Sequence, residues 1–280
     1  MIQCRGMDPI ARTAWYCCGA RAQDARGPRP VCGDTLAERF MDAEAQAVFE
    51  RFPGLKEANV SSAMRHRIID DALRDRLRQR ADQRVLLLGA GFDTRAFRLM
   101  GGRWLELDQS AVLTFKEQKL PAAQSPNPLQ RIPIDFATEH LADKLAPWAG
   151  ERDVVVVMEG VSMYLHPAQW RQTAQTLREL LPGHLLLCDL IDAIFIRRYS
   201  RKLRQALREL GGDFAPALDD PAAMVAALGY RQRATWSIVG SAVEVGALPV
   251  PRWLLNSLLR TLRDGYRVYA FDAMPLSRGE

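Results

Sequence analysis

The chain has 280 residues, 48% hydrophobic and 25% charged, with 38 Lys and Arg against 33 Asp and Glu for a net charge of +5. The apolar content excludes a disordered chain, and 19 Gly with 16 Pro exclude a collagen-like or low-complexity one. No uncharged apolar run reaches 18 residues, which excludes a membrane-spanning helix, and the length fits one large domain or two small ones.

The first fifteen residues carry no continuous apolar segment and no small-residue cleavage site, so a secretory leader is not expected. Five cysteines, at positions 4, 17, 18, 32 and 188, form no CxxC pair and an odd set. That pattern argues against a metal site or a disulfide framework and for free thiols in a reducing cytoplasm.

Helical patterning dominates the first eighty residues. Thr35–Phe49 has a Thr cap with Glu38 three residues on, which predicts one helix. Ser61 or Ser62 is expected to cap the next, running to about Arg80. On that helix Met64, Ile68, Ile69, Ala72, Leu73 and Leu77 share a face, and Arg65 falls in its middle, where a guanidinium is costly unless an anion meets it.

Beyond residue 80, short apolar runs alternate with helical stretches. Arg84–Leu88, Trp104–Leu107, Leu129–Ile134, Asp153–Met158 and His184–Cys188 predict strands, most of them buried on both faces. Phe92–Leu99, Ser110–Lys119, Pro167–Leu180 and Pro221–Leu228 predict helices, and Tyr230–Val239 with Tyr266–Phe271 a closing pair of strands. The fold class is α/β: a doubly wound, mostly parallel, seven-stranded Rossmann-like sheet. The expected organisation is one domain: a helical extension over 1–82, a cofactor-binding core over 83–190, a lid insertion over 191–220 and closing strands over 221–280. The lid is a basic amphipathic helix over Ile194–Leu210, carrying Arg197, Arg198 and Arg201; it reads as a solvated face or as a cover over the carboxyl edge of the sheet.

The turn Leu88-Gly89-Ala90-Gly91-Phe92-Asp93-Thr94-Arg95 joins a buried strand to a helix. Gly89 permits the tight turn and Gly91 a close ligand approach, but the third glycine of a dinucleotide fingerprint is replaced by Thr94. Glu106 and Asp108 end the second strand on one face, so both are expected to reach this site. Asp108 is placed to accept from ribose hydroxyls or to cap the helix after it. Asp135 with Phe136 suits an adenine amino group and ring, or a plain loop. Glu159 follows the most apolar strand, where a carboxylate belongs to a cleft rather than a dry core. An anionic rim favours a cationic ammonium or sulfonium, and Arg65 offers a partner for a carboxylate.

Together LLLGAGFDTRAFRL, WLELDQ, IDF and MEGVSMYL, with the upstream AMRHRIIDDAL and IARTAWYCCGARAQDA, resemble the leucine carboxyl methyltransferase family of class I S-adenosylmethionine-dependent methyltransferases, a group that includes bacterial polyketide O-methyltransferases. The resemblance covers about residues 10 to 170. It implies that Arg65 binds the methionine carboxylate of S-adenosylmethionine, Gly89 lies under its aminoacyl part, Asp108 holds the ribose, Asp135 and Phe136 the adenine, and Glu159 the amino group. Tyr164 would lie near the methyl-transfer cleft.

His166, just past Tyr164, is the candidate base for a hydroxyl acceptor and otherwise a loop residue; a carboxylate acceptor needs none. Arg197, Arg198 and Arg201 would draw an acidic substrate. The expected enzyme is thus an O-methyltransferase of a small anionic secondary metabolite, acting on a carboxylate or hydroxyl, without metal, nucleic acid or membrane partners. An NAD-dependent oxidoreductase, a protein C-terminal carboxyl methyltransferase and an RNA-binding module are the alternatives.

Overall fold

The computed structural model describes residues 7–136 and 138–276. Cys4 lies outside them, and Cys17, Cys18, Cys32 and Cys188 are free thiols, Cys188 fully buried. No helix among the described residues is long and apolar enough to cross a membrane.

Three helices precede the sheet: α1 (Pro9–Ala25), α2 (Ala43–Phe49) and α3 (Lys56–Gln79). Asp8 caps α1 by accepting from the Ala11 amide at 2.7 Å, with proline at the first helical position. The single helix expected over Thr35–Phe49 is instead a 3-10 turn, Thr35–Phe40, followed by α2. Asp42 caps α2, while Glu38 reaches sideways to Arg26 instead of completing a capping box. The long helix begins earlier than its serines suggested, so Ser61 and Ser62 are buried inside it rather than capping it.

The sheet follows the expected alternation. Strands β1 (Arg84–Leu88), β2 (Arg103–Asp108), β3 (Leu129–Pro133), β4 (Val155–Met158) and β5 (Leu185–Ile191) are interleaved with α4 (Arg95–Arg98), α5 (Ser110–Lys119), α6 (Leu141–Leu145) and α7 (Pro167–Leu180). After β5 come α8 (Ala193–Tyr199), α9 (Arg201–Glu209), α10 (Pro221–Ala227), β6 (Tyr230–Ser237), α11 (Ile238–Glu244), α12 (Arg252–Asn256), α13 (Arg260–Asp264) and β7 (Tyr266–Ala273). The strand order is β3-β2-β1-β4-β5-β7-β6, with β7 antiparallel to both neighbours and every other pairing parallel.

Side chains leave the strands alternately. Val85, Leu87, Val155, Val157 and Leu187 pack with α3 and α11, whereas Leu86, Leu88, Val156, Met158 and Leu186 pack with α7 and α10. A third apolar cluster joins α1 and α2 to Phe92, Phe115, α8 and α9, and so roofs the carboxyl ends of the strands. The expected lid helix is broken at Ser200 into α8 and α9, and Asp192 caps the first piece. The expected strand to Val239 stops at Ser237, whose hydroxyl accepts from the Gly240 amide at 2.8 Å and starts α11.

His184 shows how deeply the second layer is sealed. Its Nδ1 faces the Leu181 carbonyl at 2.8 Å, its Nε2 the Tyr230 hydroxyl at 3.0 Å, and burial pushes its pKa down to about 4. The unfolded chain, with an ordinary imidazole near 6.5, therefore binds more protons than the fold between those values. Stability is present above about 6.5 and is lost as pH falls toward 4, by about 3 kcal/mol. His184→Gln is expected to flatten that limb in urea titrations from pH 7 to pH 4.5; parallel wild-type and variant curves would exclude the assignment.

Candidate active site

The chain runs from β1 to β2 and β3 on one side, then returns to place β4 on the other, so the crossover between β1 and β4 opens a crevice at their carboxyl ends. Gly89 follows β1 and Glu159 follows β4, one on each side of that crevice. A cavity of about 770 Å³ occupies it, roofed by α1 and by α8 and α9. Arg65, Gly89, Gly91, Asp108, Asp135, Phe136, Glu159 and Tyr164 all line it.

The glycine turn is built for close approach. Gly89 has φ +72 and Gly91 φ +44, and a Cβ on Gly89 would collide with Val161 Cγ2. The Gly89 and Ala90 amides donate to the Leu107 carbonyl at 2.9 and 3.0 Å, and the Gly91 amide donates to Asp108 at 2.6 Å. Asp108 also accepts from the Gln109 amide at 2.7 Å. Its capping role is not observed: Gln109 occupies the N-cap position of α5, and the Asp108 carboxylate is bonded to the glycine turn instead. Burial raises its pKa above the ordinary value, against the pull of those two amides.

Glu106 does not reach the cavity, contrary to expectation. It shares a face with Asp108 but sits two residues deeper in the sheet, where it is fully buried against Lys116 and Arg131, each at 2.9 Å.

Glu159 belongs to a dense interior charge network that the sequence only partly announced. Arg95 donates to it at 2.7 Å, Arg65 at 3.1 Å, and His66 Nδ1 lies 3.1 Å away. Burial alone would raise its pKa, but Arg95, His66 and Arg65 together hold it well below the ordinary value. Arg95, fully buried, also binds Asp70 at 2.6 Å and Asp93, while Arg98 binds Asp70 at 2.7 Å and Asp34 at 3.2 Å. Arg21, which lines the cavity, binds Asp34 at 2.9 Å.

Burial, then the nearby Arg95, holds the His66 pKa down. Its ring nitrogens face two guanidinium groups, Nδ1 at 2.8 Å from Arg95 and Nε2 at 2.7 Å from Arg98, with Glu159 3.1 Å from Nδ1. Atoms of His66, Asp93 and Glu159 converge closely enough for a metal ion. The Arg95 guanidinium already supplies the cation there, bonded to both carboxylates.

Arg65 is buried as its helical position demanded, and it is paired. Besides Glu159 it donates to Asp189 at 3.1 Å and to the Tyr266 hydroxyl at 2.6 Å. Asp189, on β5, was not anticipated. It accepts from the Gly160 amide at 2.7 Å and from Tyr266 at 2.8 Å, and so ties the β4 turn, β7 and Arg65 into one unit.

Other expected residues lie elsewhere. His166 is exposed, off the cavity wall, at the N-cap of α7, where its amide donates to Gln169 at 2.9 Å. Arg197, Arg198 and Arg201 are exposed and do not line the cavity. The face that α8 and α9 turn to it is Phe195, Tyr199, Leu203 and Leu207. Their amphipathic pattern points the apolar stripe inward and the charges to water.

The cavity thus has two characters. Its wall combines the glycine cradle, carboxylates and two guanidinium groups with the apolar side chains of Phe195, Leu203, Leu207, Phe214, Leu248 and Val250. The polar groups fit S-adenosyl-L-methionine, which presents ribose hydroxyls, a carboxylate and two cationic centres. A volume near 770 Å³ lies within the roughly 300–1,000 Å³ of ligand sites.

Comparison with known proteins agrees. The chain is 27% identical over 239 residues to the tetracenomycin polyketide synthesis O-methyltransferase TcmP of Streptomyces glaucescens, covering 84% of this chain and 85% of TcmP. It is 29% identical over 258 residues to a Mycolicibacterium gilvum protein whose name places it among S-adenosyl-L-methionine-dependent methyltransferases, covering 83% and 84% of the two chains. A DUF574-family crystal structure from Streptomyces avermitilis superposes with TM-score 0.56 at 14% identity, over 92% of this chain and 97% of the other, and supports the fold alone. The leucine carboxyl methyltransferase family model matches residues 14–178. With more than half its length in that match, this chain belongs to the leucine carboxyl methyltransferase family and is an S-adenosyl-L-methionine-dependent methyltransferase.

Proposed function

We propose that the enzyme methylates an acidic oxygen, a carboxylate or a readily ionised hydroxyl, on a small and mainly apolar molecule. S-adenosyl-L-methionine supplies an electrophilic methyl group, to which an oxygen lone pair bonds as the C–S electron pair passes to sulfur. The carrying observation is that one cavity combines charged groups with a wall of apolar side chains, the apolar chamber of this proposal. Among the described residues lining it none is a histidine, and Asp108 and Glu159 are already engaged with amides and guanidinium groups. An acceptor that arrives ionised needs no base from this wall.

Within that reading Asp108 holds the ribose hydroxyls, Asp135 and Phe136 the adenine, and Gly89 and Gly91 let the aminoacyl part lie on the backbone. Glu159 receives the ammonium and Arg65 the carboxylate. Asp189 and Tyr266 fix the Arg65 guanidinium. Tyr164, whose hydroxyl donates to Thr13 at 3.3 Å and whose pKa burial raises, stays protonated near the transfer centre and walls it. Acceleration then comes from holding donor and acceptor in line in a dry chamber.

The likeness to TcmP favours a polyketide-type acceptor. Since Arg197, Arg198 and Arg201 are exposed off the cavity wall, the proposal places acceptor recognition on the chamber, not on them. The test is a mass-shift screen with methyl-labelled S-adenosyl-L-methionine against ring-built carboxylic acids, phenols and small polar acids. Label is expected in the ring-built acids or acidic phenols; exclusive labelling of small polar acids would overturn the reading.

A further inference from the structure

We propose that Tyr16 is the hydrogen-bond donor that selects and orients the methyl acceptor, holding its acid group at the inner end of the apolar chamber. The proposal rests on the acceptor reading above and adds a recognition residue to it. Tyr16 is only 5% exposed, it lines the cavity, and its buried hydroxyl has no hydrogen-bond partner among the described residues. Of the described residues with a buried, unpartnered side-chain nitrogen or oxygen, it alone lines the cavity; Trp15, its neighbour in sequence, is also unpartnered but does not.

The other tyrosine hydroxyls nearby are spent. Tyr164 donates to Thr13, and Tyr266 donates to Asp189 while accepting from Arg65. A buried hydroxyl without a partner is expensive and rare in a fold, so a bound group that accepts from it is the natural completion.

The ring cannot swing away to find water. It packs on Phe52 at 4.4 Å between centroids and on Phe49 at 6.2 Å, so the direction of the C–O bond is set by the aromatic contacts of α1 with α2 and the turn after it. Cys17, Arg65 and Tyr164, which line the same cavity, are the ionisable groups that act on this hydroxyl. Burial raises its pKa far above the ordinary phenol value, so it remains protonated and serves as a donor, not as a base. A carboxylate held by one oxygen on Tyr16 leaves the other oxygen free to meet the methyl group; a ring acceptor with an ionised hydroxyl beside a carbonyl is held through the carbonyl. A molecule lacking an acid or carbonyl acceptor leaves the hydroxyl unpaired and is selected against.

The test is Tyr16→Phe, which keeps the ring and removes only the oxygen. In ligand-free protein the variant is expected to melt about 2 °C higher or more, because an unpaired buried hydroxyl has been removed. Affinity for S-adenosylhomocysteine, by calorimetry, is expected within twofold of wild type. With S-adenosylhomocysteine saturating, 2-naphthoate is expected to bind at least tenfold more weakly to the variant, while 2-methylnaphthalene binds both proteins equally. A lower melting temperature would make the hydroxyl structural, and weakened S-adenosylhomocysteine binding would assign it to the cofactor; either overturns the proposal. Equal 2-naphthoate affinity in the two proteins overturns it alone. Failure of wild-type protein to bind either naphthalene, with S-adenosylhomocysteine binding intact, overturns the apolar-chamber reading and this proposal with it.

Discussion

Replacing Arg95 by methionine is expected to destabilise the protein by about 3–5 kcal/mol, a large part of the 5–15 kcal/mol typical of a fold. Arg95 is fully buried and donates to Asp70, Asp93, Glu159 and the His66 carbonyl. Methionine fills much of the volume, so the loss is electrostatic: carboxylates stay inside with fewer cations. Asp70 retains Arg98 and Glu159 retains Arg65, but Asp93 loses the one cation paired with it among the described residues.

The pH dependence follows from the carboxylates. Asp70 and Glu159 both titrate below their ordinary range, held there by His66 and Arg95 among others in spite of burial. A depressed folded pKa gives stability that is present above the unfolded value, near 4, and is lost as pH falls below it. Without Arg95 that contribution shrinks, so the gap between wild type and variant should be widest at neutral pH and close toward acid. Urea denaturation at pH 7 and at about pH 2.5, inside the window below the unfolded carboxylate value, measures both effects. A neutral-pH loss below about 1 kcal/mol, the range of exposed ion pairs, would reject the network as a structural element.

This network also marks the boundary of what the sequence discloses. Strands buried on both faces announce themselves as apolar runs, because a polar residue between two helical layers is costly unless it is paired; β1, β4 and the glycine turn after β1 were legible for that reason. Arg65 was legible as an anomaly, a cation on an apolar helix face. Its partner Asp189 was not. The apolar run at His184–Cys188 ends one residue before it, and its contacts, Arg65 and Tyr266, are 124 and 77 positions away. No local period encodes such a pairing. Arg95 and Asp93 stood in the turn motif with no role assigned, since burial of a four-residue helix cannot be inferred from its own pattern.

The lid illustrates the opposite error. A count of arginines suggested an attractive mouth, yet periodicity decides which face turns inward, and the break at Ser200 resets that period between α8 and α9. What covers the cavity is the apolar stripe. The helix α11 stayed hidden because Ile238 and Val239 continue the apolar character of β6, and only the Ser237 cap separates the two.

Asp108 and Glu159 are proposed to hold the same ligand, and their substitutions are expected to differ in kind. Asp108→Ala should weaken S-adenosylhomocysteine binding by at least about 100-fold, the scale of two hydrogen bonds to a charged acceptor, with a small change in melting temperature. Its partners in the free protein are the backbone amides of Gly91 and Gln109 at the cavity wall, where water can replace a carboxylate. Glu159→Ala should lose both affinity and stability, because it leaves Arg65 and Arg95 facing one another without the anion between them. Burial raises the Asp108 pKa, so its carboxylate is lost on acidification earlier than an ordinary aspartate. Cofactor affinity in wild type should therefore fall as pH drops, starting above the usual carboxylate range, and this early fall should be absent from Asp108→Ala. Calorimetry at several pH values, paired with melting curves, separates the two residues. Wild-type affinity in Asp108→Ala would remove the ribose assignment, and an unchanged melting temperature in Glu159→Ala would show that the guanidinium pair does not depend on its anion.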